Sequence, residues 1–189
     1  SKGRTEEIFA DVPLDALYKA WHIDARLEKG YYTADLITEI LGSGGSSRLY
    51  QSLIKEKQIF SNIECHHSGS IEKGLLAIEG RLVKGIKIND AENAVNEVLE
   101  KIKNKLVNEN ELQKVKNKTE SMIDFEDMSV MNRAMSLSNY ELLADESRMN
   151  RALENYQAVQ VQDVQAYYKQ MIHENTYSKL NKTSTTILK

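Results

Sequence analysis

The sequence predicts an α+β fold, an antiparallel-dominated β-sheet with helices packed on one face. Three observations carry that prediction. Residues 1–85 alternate apolar and polar side chains in several short runs and read mainly as strands with two short helices. Residues 88–175 repeat their apolar side chains at helical spacing and read mainly as helices. The strands precede the helices instead of alternating with them, which favours segregated layers over parallel β-α-β units. A chain of 189 residues with 41% hydrophobic content can bury one good-sized core, so 1–189 is taken as a single module.

Taken in order, Glu6 to Val12 is a short strand closed by Pro13, the chain's single proline, and Ala16 to Ile23 places Leu17, Trp21 and Ile23 on one face. These two are expected to form a hairpin-like pair. Tyr32, Leu36, Ile37, Ile40 and Leu41 then fall at helical spacing, and Gly42 stands where a left-handed cap would end the helix. The loop from Gly42 to Ser47 leads into a second helix, Arg48 to Lys57, whose first amides Ser46 or Ser47 could cap. Ile59 to His67 alternates strictly, and Leu75 to Val83 is a second apolar run beyond the turn Ser68-Gly69-Ser70, so the two should pair antiparallel.

In the second half Asn89 and Glu92 resemble a capping box, and Ala91, Val95, Val98 and Ile102 form a stripe. From Glu111 the positions Leu112, Val115, Thr119, Met122, Met128, Met131, Met135 and Leu143 suggest a long helix bent near Asp124 to Asp127. Five of the six methionines, Met122, Met128, Met131, Met135 and Met149, lie between Glu111 and Met149; an adaptable binding surface is one reading of such a stripe, and core packing is the expected one. A last helix, Val161 to Ile172, precedes a polar tail from Asn175 that ends in the strand-like Thr185-Thr186-Ile187-Leu188.

The charges exclude some partners. Lys and Arg number 25 against 28 Asp and Glu, for a net charge of −3, and they interleave without forming a basic face. Nucleic acid is therefore not an expected partner, because phosphate neutralisation needs clustered cations. No apolar run approaches the roughly 20 residues that span a bilayer, so no membrane span is expected. The chain opens Ser1-Lys2-Gly3 without an initiator Met and reads as a processed product or as a segment of a longer protein, the second being the expectation. No targeting signal stands in it, and the compartment stays open.

Chemistry is sparse. A hydrolytic zinc site needs three converging ligands and a carboxylate to activate water. Of the four histidines, His22 lies in a strand, His66 and His67 are adjacent and point to opposite strand faces, and His173 ends a helix. Glu64 and His66 share a face and are the best available pair, with no third ligand evident. The single Cys65 excludes an internal disulfide and reads as a small buried hydrophobe. The helix start at Ser46-Ser47-Arg48 lacks the lysine of a P-loop, no Gly-x-Ser-x-Gly elbow is present, and Ser68 reads as turn chemistry. The sequons at Asn117 and Asn181 are given no role. The expected catalytic and metal residues in this chain are therefore none.

One stretch is distinctive. Ile40-Leu41-Gly42-Ser43-Gly44-Gly45-Ser46-Ser47-Arg48-Leu49-Tyr50, continuing through Leu53-Ile54-Lys55-Glu56-Lys57, closely resembles a signature of the pitrilysin/insulinase zinc peptidases. It also resembles their two-subunit relatives, the mitochondrial processing peptidases and respiratory-complex core proteins. Asp11-Val12-Pro13 before Ala16-Leu17-Tyr18, Leu76-Ala77-Ile78-Glu79-Gly80, and Ala158-Val159 with Asp163-Val164 before the last helix agree with that order.

The resemblance implies the C-terminal, non-metal-binding module of a processing-peptidase-like chain. In that family an N-terminal module carries zinc through an inverted His-x-x-Glu-His motif, and no such motif occurs here. The signature residues Gly44, Gly45, Ser46, Ser47, Arg48 and Leu49 are then structural, no cofactor belongs to this segment, and zinc sits in the catalytic half of the parent enzyme. The implied role is a wall of the peptide-binding chamber that assists proteolysis by a site on another domain or subunit. Implied partners are the metal-bearing module of the same chain, a second related subunit, and peptide substrates. Complete family members place an Arg and, seven positions on, a Tyr that polarise the substrate carbonyl. Here those places hold Ile54 and Ser61, which cannot do that work. Gln160 likewise replaces a cap Thr ahead of Asp163. The alternatives are a scaffold or assembly module that kept the fold and lost catalysis, and an independent hydrolase using Glu64 and His66.

Overall fold

A computed structural model describes residues 3–69, 71–105, 107–143, 147–172 and 178–184. Strands β1 (Arg4–Ala10), β2 (Ala16–Ile23), β3 (Phe60–Ser68), β4 (Gly74–Leu82) and β5 (Ser178–Ser184) form one sheet in the order β1-β5-β2-β4-β3. Only β1 and β5 run parallel; the β5-β2, β2-β4 and β4-β3 pairs are antiparallel. Helices α1 (Gly30–Gly42), α2 (Ile88–Asn104) and α6 (Val161–Met171) pack over it, with α3 (Glu109–Asp127), α4 (Val130–Leu142) and α5 (Ser147–Ala158) beyond them. The predicted fold class is the one observed.

The core lies between sheet and helices for the reason the periodicities gave. Leu17, Trp21 and Ile23 of β2 and Leu76, Ile78 and Leu82 of β4 are buried against Leu36, Ile37, Ile40 and Leu41 of α1 and against Ala91, Val95, Val98 and Ile102 of α2. Tyr168 is wholly buried, and its hydroxyl is satisfied by the Leu99 carbonyl at 3.0 Å.

Several local expectations fail, each for an identifiable reason. β1 and β2 do not pair, because β5 lies between them. The polar tail is thus partly strand, while residues 185–188 and His173 lie outside the described residues. β5 carries one large aliphatic side chain, Leu180, and turns Lys179 and the buried Asn181 toward the helices. Gly42 is the last residue of α1 and not its left-handed cap; the positive φ, 78°, belongs to Gly44. Gly42 is needed for another reason, since a Cβ there would stand 2.2 Å from the backbone N of Cys65. Lys87 and not Asn89 precedes α2, without a side-chain cap. The long helix breaks at Met128 and Ser129, whose hydroxyl accepts from the Asn132 N–H at 3.3 Å and starts α4. Gln160 caps poorly, yet the Asp163 carboxylate accepts from its backbone N–H at 2.8 Å.

The methionines give the largest correction. Met122, Met128, Met131 and Met135 are all exposed, and α4 has no buried residue. Core packing does not explain them; the Met149 side chain is outside the description.

Candidate functional site

The signature segment winds from the end of α1 into a π-helix, Tyr50–Glu56, where the Lys57 N–H reaches back five residues to the Ser52 carbonyl at 3.0 Å. Leu49 and Leu53 are fully buried beneath it and anchor it to the sheet. Neither serine caps it. The Ser46 hydroxyl instead takes a hydrogen bond from the Lys114 ammonium at 2.5 Å, and the Ser47 hydroxyl is buried without a hydrogen bond among the described residues. The Gln51 side-chain amide folds back to the Gly45 carbonyl and closes the loop.

A stripe on α3 clamps this loop from outside. Glu111, Lys114 and Lys118 follow one another at i, i+3 and i+7, the spacing of one helix face. Arg48 donates to both Glu111 oxygens, at 2.9 and 2.6 Å. Lys118 reaches Ser43 at 2.5 Å and pairs with Glu39. The fork-to-fork contact on Arg48 holds the Glu111 carboxyl below the ordinary 4.5. Because that folded-state value is depressed, its stabilisation is complete above pH 4.5 and is lost as pH falls through the lowered value. An Arg48→Ala/Glu111→Ala double-mutant cycle should give a coupling of about 1 kcal/mol at neutral pH. Urea melts repeated at acidic pH should show it shrink, and a coupling that does not change with pH would rule out the ion pair as its source.

Strand β3 is one of the sheet's two edges, and its strict alternation is broken by a bulge between Phe60 and Asn62. The extra residue brings Phe60 inward together with Ile63 and Cys65. Beside this edge runs a cleft of about 540 Å³ lined by Asp35, Glu39, Gly42, Glu64, His66 and Met122, among others.

At its floor lies an arrangement that the sequence reading missed. His67 Nδ1 is 3.3 Å from Asp35 Oδ1, Tyr31 Oη is 3.2 Å from His67 Nε2, and the Tyr156 hydroxyl donates to the other Asp35 oxygen. The tautomer with its proton on Nδ1 satisfies both imidazole contacts. Burial pushes the Asp35 carboxyl up, against the opposing pull of His67 and Tyr156. Burial, reinforced by Asp35, also raises the Tyr156 phenol. The network ties α1, β3 and α5 together. The only hint in the sequence is an acidic residue at position 35, between Ala34 and Leu36 in an otherwise buried helix face.

The remaining candidates are dispersed. Glu64 and His66 share an exposed face, with Glu64 accepting from the Asn62 amide at 2.9 Å, and His22 is exposed at the far end of β2. Among the described residues no group of three or more His, Cys, Asp or Glu stands close enough to hold a metal ion, so the side chains present do not fit zinc. Burial drives the Cys65 thiol far above its ordinary value and leaves it unreactive. Ile54 packs against the core margin, and Ser61 is exposed with its hydroxyl donating to the Arg81 carbonyl at 3.0 Å.

Comparison with known proteins bears on both the fold and the family. A sequence search of curated proteins finds no significant match. Among solved structures, a protease from Helicobacter pylori superposes with a TM-score of 0.90 at 18% identity, over 96% of this chain and 44% of its own. A peptidase M16 inactive domain from Pseudomonas fluorescens gives 0.81 at 16% identity, over 100% of this chain and 45% of its own. The inactive peptidase domain of a protein named as a zinc protease from Bordetella parapertussis gives 0.85 at 17% identity, over 96% and 97%. The chain therefore spans less than half the length of the first two. At these identities the superpositions establish the fold. The family model of the peptidase M16 inactive domain matches residues 2–119, which include the clamped loop and the edge strand, and the chain belongs to that family.

Proposed function

We propose that the chain is one module, the non-catalytic half of a zinc metalloendopeptidase, which forms a wall of the peptide-binding chamber and aids hydrolysis at a zinc site in another domain or subunit. The observation that carries this reading is the cleft along the free edge of β3, bordered by the clamped signature loop. An edge strand offers backbone donors and acceptors to an extended peptide whatever its sequence, as a peptidase of broad substrates needs. A rigid loop beside it fixes the width of the opening. The implied partners are peptides, a metal-bearing module of the same polypeptide and a second related subunit. Among the described residues no helix is long and apolar enough to cross a membrane.

The test is reconstitution. The isolated chain with added zinc should leave peptides intact and hold no stoichiometric zinc by elemental analysis. Mixed with the separately produced remainder of the polypeptide, it should raise cleavage in proportion to complex formed. Hydrolysis by the chain alone, or near one zinc per chain lost on His66→Ala, would refute the proposal. A second reading, a scaffold without catalytic purpose, draws support from Ile54 and Ser61 at the places of the polarising Arg and Tyr. It predicts a stable complex with no gain in cleavage.

A further inference from the structure

Helix α4 is 13 residues long and has no buried residue, although Val130, Met131 and Met135 give it a broad apolar face. A helix of that length is marginal in water without tertiary cover. The face continues onto the end of α3 through Met122, Phe125 and Met128, with Phe125 71%, Met128 76% and Val130 82% exposed. So many exposed large apolar side chains on two successive helices mark an interaction site. We infer that this α3-α4 face is the surface on which the metal-bearing sister module of the same polypeptide docks; the inference rests on the functional reading above.

Three observations select that occupant. The two longer structural relatives align with nearly all of this chain but with only 44% and 45% of their own, so each carries further chain of comparable length in the same polypeptide. Met122 belongs both to the apolar face and to the cleft beside β3, which makes the face continuous with the proposed chamber wall. Asp124, Glu126 and Asp127 surround Phe125 in the exposed rim. A second copy of the chain, joined through a two-fold axis, would set these carboxylates against one another, whereas a different module can meet them with Lys and Arg. The partner surface is thus apolar at its centre with a basic border.

Methionine oxidation reads the face directly. In the isolated chain, hydrogen peroxide followed by mass spectrometry should convert Met128, Met131 and Met135 at the rate of a free methionine. In the parent polypeptide the same residues should react at least about 10-fold more slowly, as burial demands. Met131→Glu should leave the isolated chain's melting temperature unchanged, because the site is exposed, and should restore fast oxidation of Met128 and Met135 in the parent. Equal rates in a two-module parent would overturn the inference while leaving the functional reading intact. Protection that depends on the concentration of the isolated chain would assign the face to a second copy and overturn it as well. A parent without a second module would bring down both.

Discussion

Replacing Glu92 by Ala should cost about 3–5 kcal/mol of stability, the cost of leaving a buried charge without its counterion. Lys19 stands in the centre of the sheet, 1% exposed, with its ammonium 3.5 Å from Glu92 and 2.6 Å from the Asn96 side-chain carbonyl. Lys179, its neighbour across the β2-β5 pair, meets the other Glu92 oxygen at 2.6 Å. One carboxylate therefore serves two cations, and without it they face each other in a medium that screens them poorly. The converse substitution, Lys19→Met, should be tolerated, since an apolar side chain of similar length removes the desolvation cost and leaves the Lys179-Glu92 pair intact. The two variants separate an ion-pair effect from mere packing, which would penalise both. Burial depresses the Lys19 ammonium below its ordinary 10.5, and Glu92 opposes that shift. A base with a lowered folded-state value binds fewer protons folded than unfolded, so stability rises with pH through the window below 10.5. Denaturant melts of Glu92→Ala should accordingly recover part of the loss as pH approaches that value. A loss that is the same at pH 7 and pH 10 would refute the buried-cation account.

That cluster also explains what the sequence could and could not reveal. Leu17, Trp21 and Ile23, or Ala91, Val95, Val98 and Ile102, are legible because apolar side chains at a period of 2 or 3.6 have one economical way to leave water. β5 follows no such pattern: its inward positions are the buried Asn181 and Lys179, whose ammonium is met by Glu92, a residue 87 positions away. The same holds for the clamp. Glu111, Lys114 and Lys118 look like an ordinary solvated helix face, and their partners on the signature loop are visible only once α3 is folded across it. Asp35 and His67 likewise meet only through the packing of α1 on β3. The bulge at Phe60 to Asn62 escaped because one added residue changes the face of everything before it. The methionines at 122, 128, 131 and 135 misled in the opposite direction, since a helical stripe states that a face is apolar without stating whether this chain covers it.

The parent polypeptide, even with zinc bound, should cleave peptides slowly and gain about 10²–10³ in rate on adding a second subunit that supplies an Arg and a Tyr, because that is the usual cost of a missing oxyanion donor. The argument starts from Ile54 and Ser61, which stand where the family resemblance places those two residues. Ile54 lies on the π-helix with its side chain against the core margin and has nothing to donate. Ser61 projects from the exposed edge strand, but its hydroxyl is engaged by the Arg81 carbonyl and is far shorter than a phenol. The nearby cation is no ready replacement for the missing Arg either, since Arg48 is held by Glu111 through its Nε and Nη2. The two-subunit relatives named by the resemblance divide the labour in this way, with metal on one chain and polarising residues on the other. The gain should appear in kcat more than in KM, because oxyanion donors act on the charge that develops in the transition state. It should vanish when the Arg or the Tyr of the added subunit is replaced, while complex formation measured by light scattering persists. A purified parent that is fully active as a homomer would defeat the prediction and shift the polarising role to another residue, with Tyr50 of the signature segment the first to mutate.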